Sequence, residues 1–240
     1  MHDPTQRPDW IALDWRAAAP RVWLMTDEGS VIDTRASDSK GQNGDGFGSV
    51  LLALIGDVLD GAAPMPVIGC GTAGGQVRAP GVAVPAPPPS GEAALRIETR
   101  DPRLDLRILP GMRQGAPADM MTGEETTLAG ALAARPGFDG VFCLPGAHTR
   151  WVQVSAGEIV SFRTFMTGEL FALLARQSVL SSDMGEEGAW DDAAFAEAVG
   201  DAISRPQGIG AALFGIRADA VLNGLAPGAA RARLAGLLIG

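Results

Sequence analysis

Phe142-Cys143-Leu144-Pro145-Gly146-Ala147-His148-Thr149-Arg150-Trp151-Val152 is an apolar run, a tight turn of small residues, and a second run that leaves the turn as a strand. Ala156-Gly157-Glu158 supplies another turn, and Ile159 to Phe162 reads as a third strand. The same strand-turn-strand-turn-strand pattern opens the chain. Trp10 to Trp15, Arg21 to Met25 and Val31 to Thr34 are its strands, and Asp27-Glu28-Gly29 forms its second turn. Each copy sets Arg and Trp just after the first turn (Arg21 and Trp23, then Arg150 and Trp151). The repetition reads as a distant internal duplication of a three-stranded unit.

Helical spacing follows each copy. Val50, Leu51, Leu54, Ile55 and Val58 predict a helix over 47–59, and Met65 to Cys70 a buried strand that runs into the Gly-rich 71–75. Ala79 to Gly91 carries five prolines and reads as an irregular surface segment, and Leu104 to Ile108 alternates as a half-buried strand. Gly123-Glu124-Glu125-Thr126-Thr127 opens an apolar helical run, with Thr122 and Glu125 spaced as a capping box. Further helices are expected at 167–176, 191–202, 209–214 (extended through 217–219) and 227–239.

The chain has 240 residues, 46% hydrophobic and 20% charged, which is globular composition. Its 28 acidic residues outnumber 19 Lys and Arg, for a formal charge of −9 without any block of like charge. That balance argues against nucleic acid or an anionic membrane as partner, and a small anionic ligand needs a locally basic pocket. The polar start lacks a signal-peptide core, and no apolar run reaches the length of a membrane span. A cytoplasmic setting is expected. Cys70 and Cys143 both end apolar runs and are expected as buried free thiols. With only His2 and His148, a histidine-rich metal site or a histidine triad is disfavoured. Trp10, Trp15, Trp23 and Trp151 are expected in packing.

A carboxylate beside a turn lined with backbone N–H groups is what phosphoryl transfer requires. Two βββα halves facing each other resemble the plan of the sugar-kinase, heat-shock ATPase and actin superfamily, an α/β fold of two lobes with mixed sheets. The stretch 143–152 resembles the Leu-Pro-Gly-Thr-His-Ser-Lys-Trp-Val segment of 2-dehydro-3-deoxygalactonokinases. Thr164-Phe165-Met166-Thr167-Gly168-Glu169-Leu170-Phe171 is similar to that family's next signature, and 123–126, 190–195 and 236–240 also match in order.

The resemblance implies lobes at 1–110 and 111–240, and ATP-dependent phosphorylation of the terminal hydroxyl of 2-dehydro-3-deoxy-D-galactonate with Mg²⁺. It implies Glu125 or Glu124 as the hydroxyl-orienting base and Asp14 as catalytic carboxylate and metal holder. Gly146, Ala147, His148, Thr149 and Arg150 would hold ATP phosphates, with Arg16 a further candidate. Arg21, Gly74, Gln76, Thr167 and Glu169 would meet the sugar acid. The chain departs from the family at Arg16-Ala17-Ala18-Ala19-Pro20, where the family has Gly-Thr and a polar run, and in the shorter loop 74–81. The relatives also continue past Leu238-Ile239-Gly240. Leu234, Leu237 and Leu238 are therefore expected to seek cover, from a homodimer or from within the chain. The departures leave a second reading open, a catalytically impaired paralogue that binds a sugar acid or a protein.

Overall fold

The computed structural model describes residues 7–16, 20–37, 46–59, 63–71, 81–185 and 189–240. The chain divides into two compact units, Met1–Phe142 with Val152–Arg163, and Cys143–Trp151 with Thr164–Gly240.

The first unit is built on a six-stranded sheet of β1 (Trp10–Trp15), β2 (Arg21–Met25), β3 (Val31–Ala36), β4 (Met65–Gly71), β6 (Leu95–Ile97) and β7 (Leu104–Ile108), in the order β3-β2-β1-β4-β7-β6. The hairpins β1–β2, β2–β3 and β6–β7 are antiparallel, whereas β4 runs parallel to both β1 and β7, so the sheet is mixed. Period-two alternation buries Ile11, Leu13 and Trp15 on one face of β1, with Val22, Leu24, Val67, Leu106 and Ile108 beside them. Helix α1 (Gly46–Ile55) covers that face with Leu51 and Ile55, both fully buried.

The segment 79–91 is not wholly irregular. Val82–Ala83 forms a short strand β5, paired parallel to β8 (Met112–Gly115), which pairs antiparallel with β9 (Ala118–Met121). Ala86 also exchanges backbone hydrogen bonds with Ile159. Prolines limit β5 to two residues but leave the alternate N–H groups free to pair. Helix α2 (Glu124–Ala133) starts one residue later than the capping box predicts. Gly123 is its N-cap, and the Thr122 hydroxyl makes no cap bond to it.

The second three-stranded element comprises β10 (Gly140–Leu144), β11 (Thr149–Ser155) and β12 (Glu158–Phe165), again in consecutive order. Cys143 faces solvent on β10 and Trp151 is half-exposed on β11, contrary to the burial expected of both. Both lie on the outward phase of their strands, with Val141 on β10 and Gln153 and Ser155 on β11. Val152, Val154, Ile159 and Phe162 are buried.

In the second unit, α3 (Thr167–Gln177), α4 (Ser181–Met184), α5 (Asp192–Ser204), α6 (Ile209–Asn223) and α7 (Pro227–Ile239) pack around Leu180, Met184, Ala198, Ala202, Ile216, Ala230 and Leu234. Asp191 caps α5 by accepting from the Ala194 N–H at 2.9 Å, and Pro227 opens α7 where no helical donor is needed. Leu234 and Leu237 are buried within this unit, so their cover comes from the chain itself. None of the described helices is long and apolar enough to cross a membrane.

Candidate active site

Two groups of predicted residues assemble, one in each unit. In the first unit, the end of β1 carries Asp14 out of the sheet between Arg21 of β2 and Cys70 of β4, its register partners. Arg16, two residues on, folds back over it. The Arg16 amide and Nε donate to Asp14 Oδ1 at 3.0 Å, and Nε and Nη2 donate to Oδ2 at 3.0 and 2.7 Å. Burial works to raise the Asp14 carboxyl, but the hydrogen bonds and charge of Arg16, with Arg21 behind them, hold it below its ordinary value.

The remaining arm of Arg16 crosses to α2, where Nη1 donates to the Thr127 hydroxyl at 3.0 Å. Its stem lies against Gly123, where a Cβ would sit 2.2 Å from Arg16 Cγ. Gly123 also has φ +106°, so only glycine suits both the turn and the stem. Thr127 was not among the predicted residues. A neutral hydroxyl two positions beyond the carboxylates carries no sequence signal, and its partner is 111 residues away.

Of the two carboxylates at the start of α2, Glu125 is fully buried and turned back on its own helix. Both its oxygens accept from the Gly123 N–H at 2.7 Å. Burial, aided by the Glu124 charge, raises it to about 7 against the opposing N–H contact. Glu124 is half-buried and close enough for its charge to act on Arg16. Thr126 donates to the Gly123 carbonyl at 2.5 Å and lies 3.4 Å from Cys70 Sγ. Burial pushes the Cys70 thiol up to about 12.

In the second unit the turn holding Gly146, Ala147 and His148 is fastened to the start of α3. Glu169 N–H donates to the Ala147 carbonyl at 3.0 Å, Thr149 and Thr167 share a hydroxyl contact of 2.5 Å, and His148 Nε2 meets Glu169 Oε2 at 2.6 Å. The backbones touch: a Cβ at Gly168 would lie 2.6 Å from the Gly146 carbonyl. Arg150 is buried and donates to the His148 carbonyl at 3.3 Å. Arg21, in the first unit, is exposed and stacks its guanidinium 5.9 Å from the centre of the Trp23 ring. Gly74 and Gln76 lie outside the described residues.

The resemblance implies a Mg²⁺ at Asp14. A carboxylate offers about four acceptor directions. Three N–H groups of Arg16, with the Nε–H shared, contact both oxygens of Asp14, and Cys70 Sγ lies 3.9 Å from Oδ1. Among the described residues no group of three His, Cys, Asp or Glu side chains is arranged to hold a metal ion. With Arg16 in this position, the residues at Asp14 do not fit a divalent cation.

Comparison with known proteins bears on the same elements. The family model described as 2-keto-3-deoxy-galactonokinase matches residues 14–240. A Rhizobium meliloti (strain 1021) protein named "Probable 2-dehydro-3-deoxygalactonokinase DgoK1" is 35% identical, over 96% of this chain and 78% of its own length. The 2-dehydro-3-deoxygalactonokinase of Escherichia coli (strain K12) is 32% identical over the same shares. A crystal structure from Sinorhizobium meliloti, of a protein assigned as a 2-dehydro-3-deoxygalactonokinase, superposes with a TM-score of 0.81 at 34% identity, covering 96% of this chain and 79% of that one. That likeness gives the fold as the two-lobed α/β kind found in sugar kinases. The impaired-paralogue reading gains no support from these relatives. By the match over 14–240 and by both relatives, the chain belongs to the 2-keto-3-deoxy-galactonokinase family, and it is a carbohydrate kinase.

Proposed function

We propose that the chain transfers the γ-phosphoryl group of ATP to the terminal hydroxyl of 2-dehydro-3-deoxy-D-galactonate, in the cytoplasm, as a step in galactonate breakdown. The observation that carries this reading is the meeting of the β1 carboxylate with the first turn of α2 through Arg16 and Thr127, across 111 residues of sequence. In-line phosphoryl transfer needs little covalent help from a protein. It needs a carboxylate to orient the attacking hydroxyl and donors to hold the phosphate oxygens.

Glu124 takes the role of base. It is the carboxylate of the pair that is not wholly enclosed, while Glu125 is committed to the Gly123 N–H and supports the helix start. Gly146, Ala147, His148, Thr149 and Arg150 hold phosphate oxygens. Thr167 and Glu169 keep that turn in place, and Arg21 attracts the carboxylate of the sugar acid.

The test is to incubate the purified chain with ATP and 2-dehydro-3-deoxygalactonate, following ADP release and the phosphomonoester by ³¹P NMR. Product that requires both substrates supports the reading. ADP release indifferent to the sugar acid overturns the acceptor, and absence of any turnover overturns the reaction. Glu124→Gln should lower kcat by about 10²–10⁴-fold, the usual worth of a positioned base, with Glu125→Gln affecting stability more than kcat. Equal losses in the two variants would contradict the assignment of the base.

A further inference from the structure

We propose that Arg16 is a resident cation on Asp14, and that a divalent metal and the Arg16 guanidinium exclude one another at this carboxylate. The inference rests on the kinase reading and concerns how this chain admits its metal–nucleotide complex. Four features of the geometry lead to it.

The Asp14 carboxylate is gripped on both oxygens. Its two oxygens receive the Arg16 amide, Nε twice and Nη2, all within 2.7–3.0 Å. The Nε and Nη2 fork spans both oxygens, so a divalent cation that takes a carboxylate oxygen competes for it with a guanidinium donor. The Arg16 position is also built rather than incidental. Its stem fills the space left by the missing side chain of Gly123, and Nη1 is anchored on Thr127. The guanidinium can nevertheless leave at small cost, because its side chain keeps 36% of its surface exposed and Asp14 keeps 22%. Solvent screening at this exposure weakens even a bidentate pair. Finally, the departing group is a cation beside Asp14, Glu124 and Glu125, so an arriving metal replaces positive charge with positive charge.

Binding of the metal–nucleotide complex is therefore a competition. The affinity observed is the intrinsic one reduced by the fraction of molecules in which Arg16 has swung away. A lysine in its place would keep the charge but lose the planar fork that grips both oxygens.

The experiment is a calorimetric titration of the whole chain, and of its Arg16→Ala and Arg16→Lys variants, with Mg·ATP and then with ATP in excess EDTA. Arg16→Ala should bind Mg·ATP about three- to fivefold more tightly, the worth of an exposed pair, with no such gain for metal-free ATP. Arg16→Lys should fall between. Unchanged Mg·ATP binding in Arg16→Ala overturns the proposal, and weaker binding overturns it and makes Arg16 a phosphate ligand. An equal gain with metal-free ATP overturns it too. If Arg16→Ala does not fold, the lysine variant carries the same comparison. Should a folded wild-type chain bind no Mg·ATP at all, the kinase reading falls first, and that outcome is distinct from the others.

Discussion

Glu125 shows how one side chain can set a pH dependence for the molecule. It is buried, and its carboxyl is raised from 4.5 to about 7 by that burial. In the unfolded chain it ionises at its ordinary value, so between about pH 4.5 and about pH 7 the folded state holds a proton the unfolded state has lost. Stability must then fall as pH rises through this window and level off above it. A rise of this size is worth at most about 3 kcal/mol. Urea unfolding at about pH 5 and about pH 7.5 should show the loss, and Glu125→Gln should flatten it. The lowered Asp14 and Asp101 carboxyls act below the window, because both are ionised throughout it. A wild-type slope of the opposite sign, or one kept in Glu125→Gln, would refute the attribution. The two thiols give a second contrast. Cys143 is exposed, whereas Cys70 is buried with its thiol pushed up to about 12, so almost none of it is thiolate in mildly alkaline buffer. An aromatic disulfide reagent should titrate one thiol in the native protein and both in denaturant. Two fast thiols in the native state would mean that the β4 end opens readily.

Among the elements, the pairing of α5 with α7 is sensitive to single-atom changes. Ala194, Ala198 and Ala202 recur at four-residue intervals on α5: Ala194 packs with Ala229 and Ala232, Ala198 lies against Gly236, and Ala202 against Gly240. A Cβ at Gly236 would lie 2.6 Å from the Phe195 carbonyl and 2.7 Å from Ala198 Cβ, and the carbonyl belongs to a helix backbone that cannot turn aside. Gly236→Ala gains helix propensity yet should cost about 1–3 kcal/mol net through overpacking. Thermal unfolding measures it, and a variant at least as stable as the wild type would show that the helices can separate freely. Elements of this kind were legible in the sequence. The period of two in β1 and β7 and the helical spacing in α1 and α5 are strong because each of these elements buries one face. The β5, β8 and β9 strands escaped notice, since strands of two to four residues with prolines around them carry too few periods to register. The candidate site was legible as residue types, not as partners. Asp14, Arg16 and the two glutamates stood out, but the grip of Arg16 on Thr127 depends on a sheet and a helix meeting in space. Likewise Cys143 and Trp151 sit on apolar strands, and only the phase of β10 and β11 puts them outside.

For the molecule as a whole, the formal charge of −9 has to hold apart surfaces that are not uniformly polar. In the second unit Phe214 and Val221, seven residues apart on α6, are both more than 60% exposed and share one helical face. Mutual repulsion keeps such faces apart only while the carboxylates are ionised. As pH falls from 7 toward the carboxylate range near about pH 4–5, the negative excess drains and the apolar faces are left unopposed. Light scattering should therefore rise on acidification, while added salt at pH 7 produces a weaker rise by screening. Phe214→Gln combined with Val221→Gln should suppress the acid-induced rise. Its unfolding free energy should stay within about 0.5 kcal/mol of wild type, because both side chains face solvent already. If the double variant associates as readily as the parent, the α6 face is not the contact surface. If instead its stability collapses, these side chains are covered in solution, and their exposure in the isolated chain marks a buried interface.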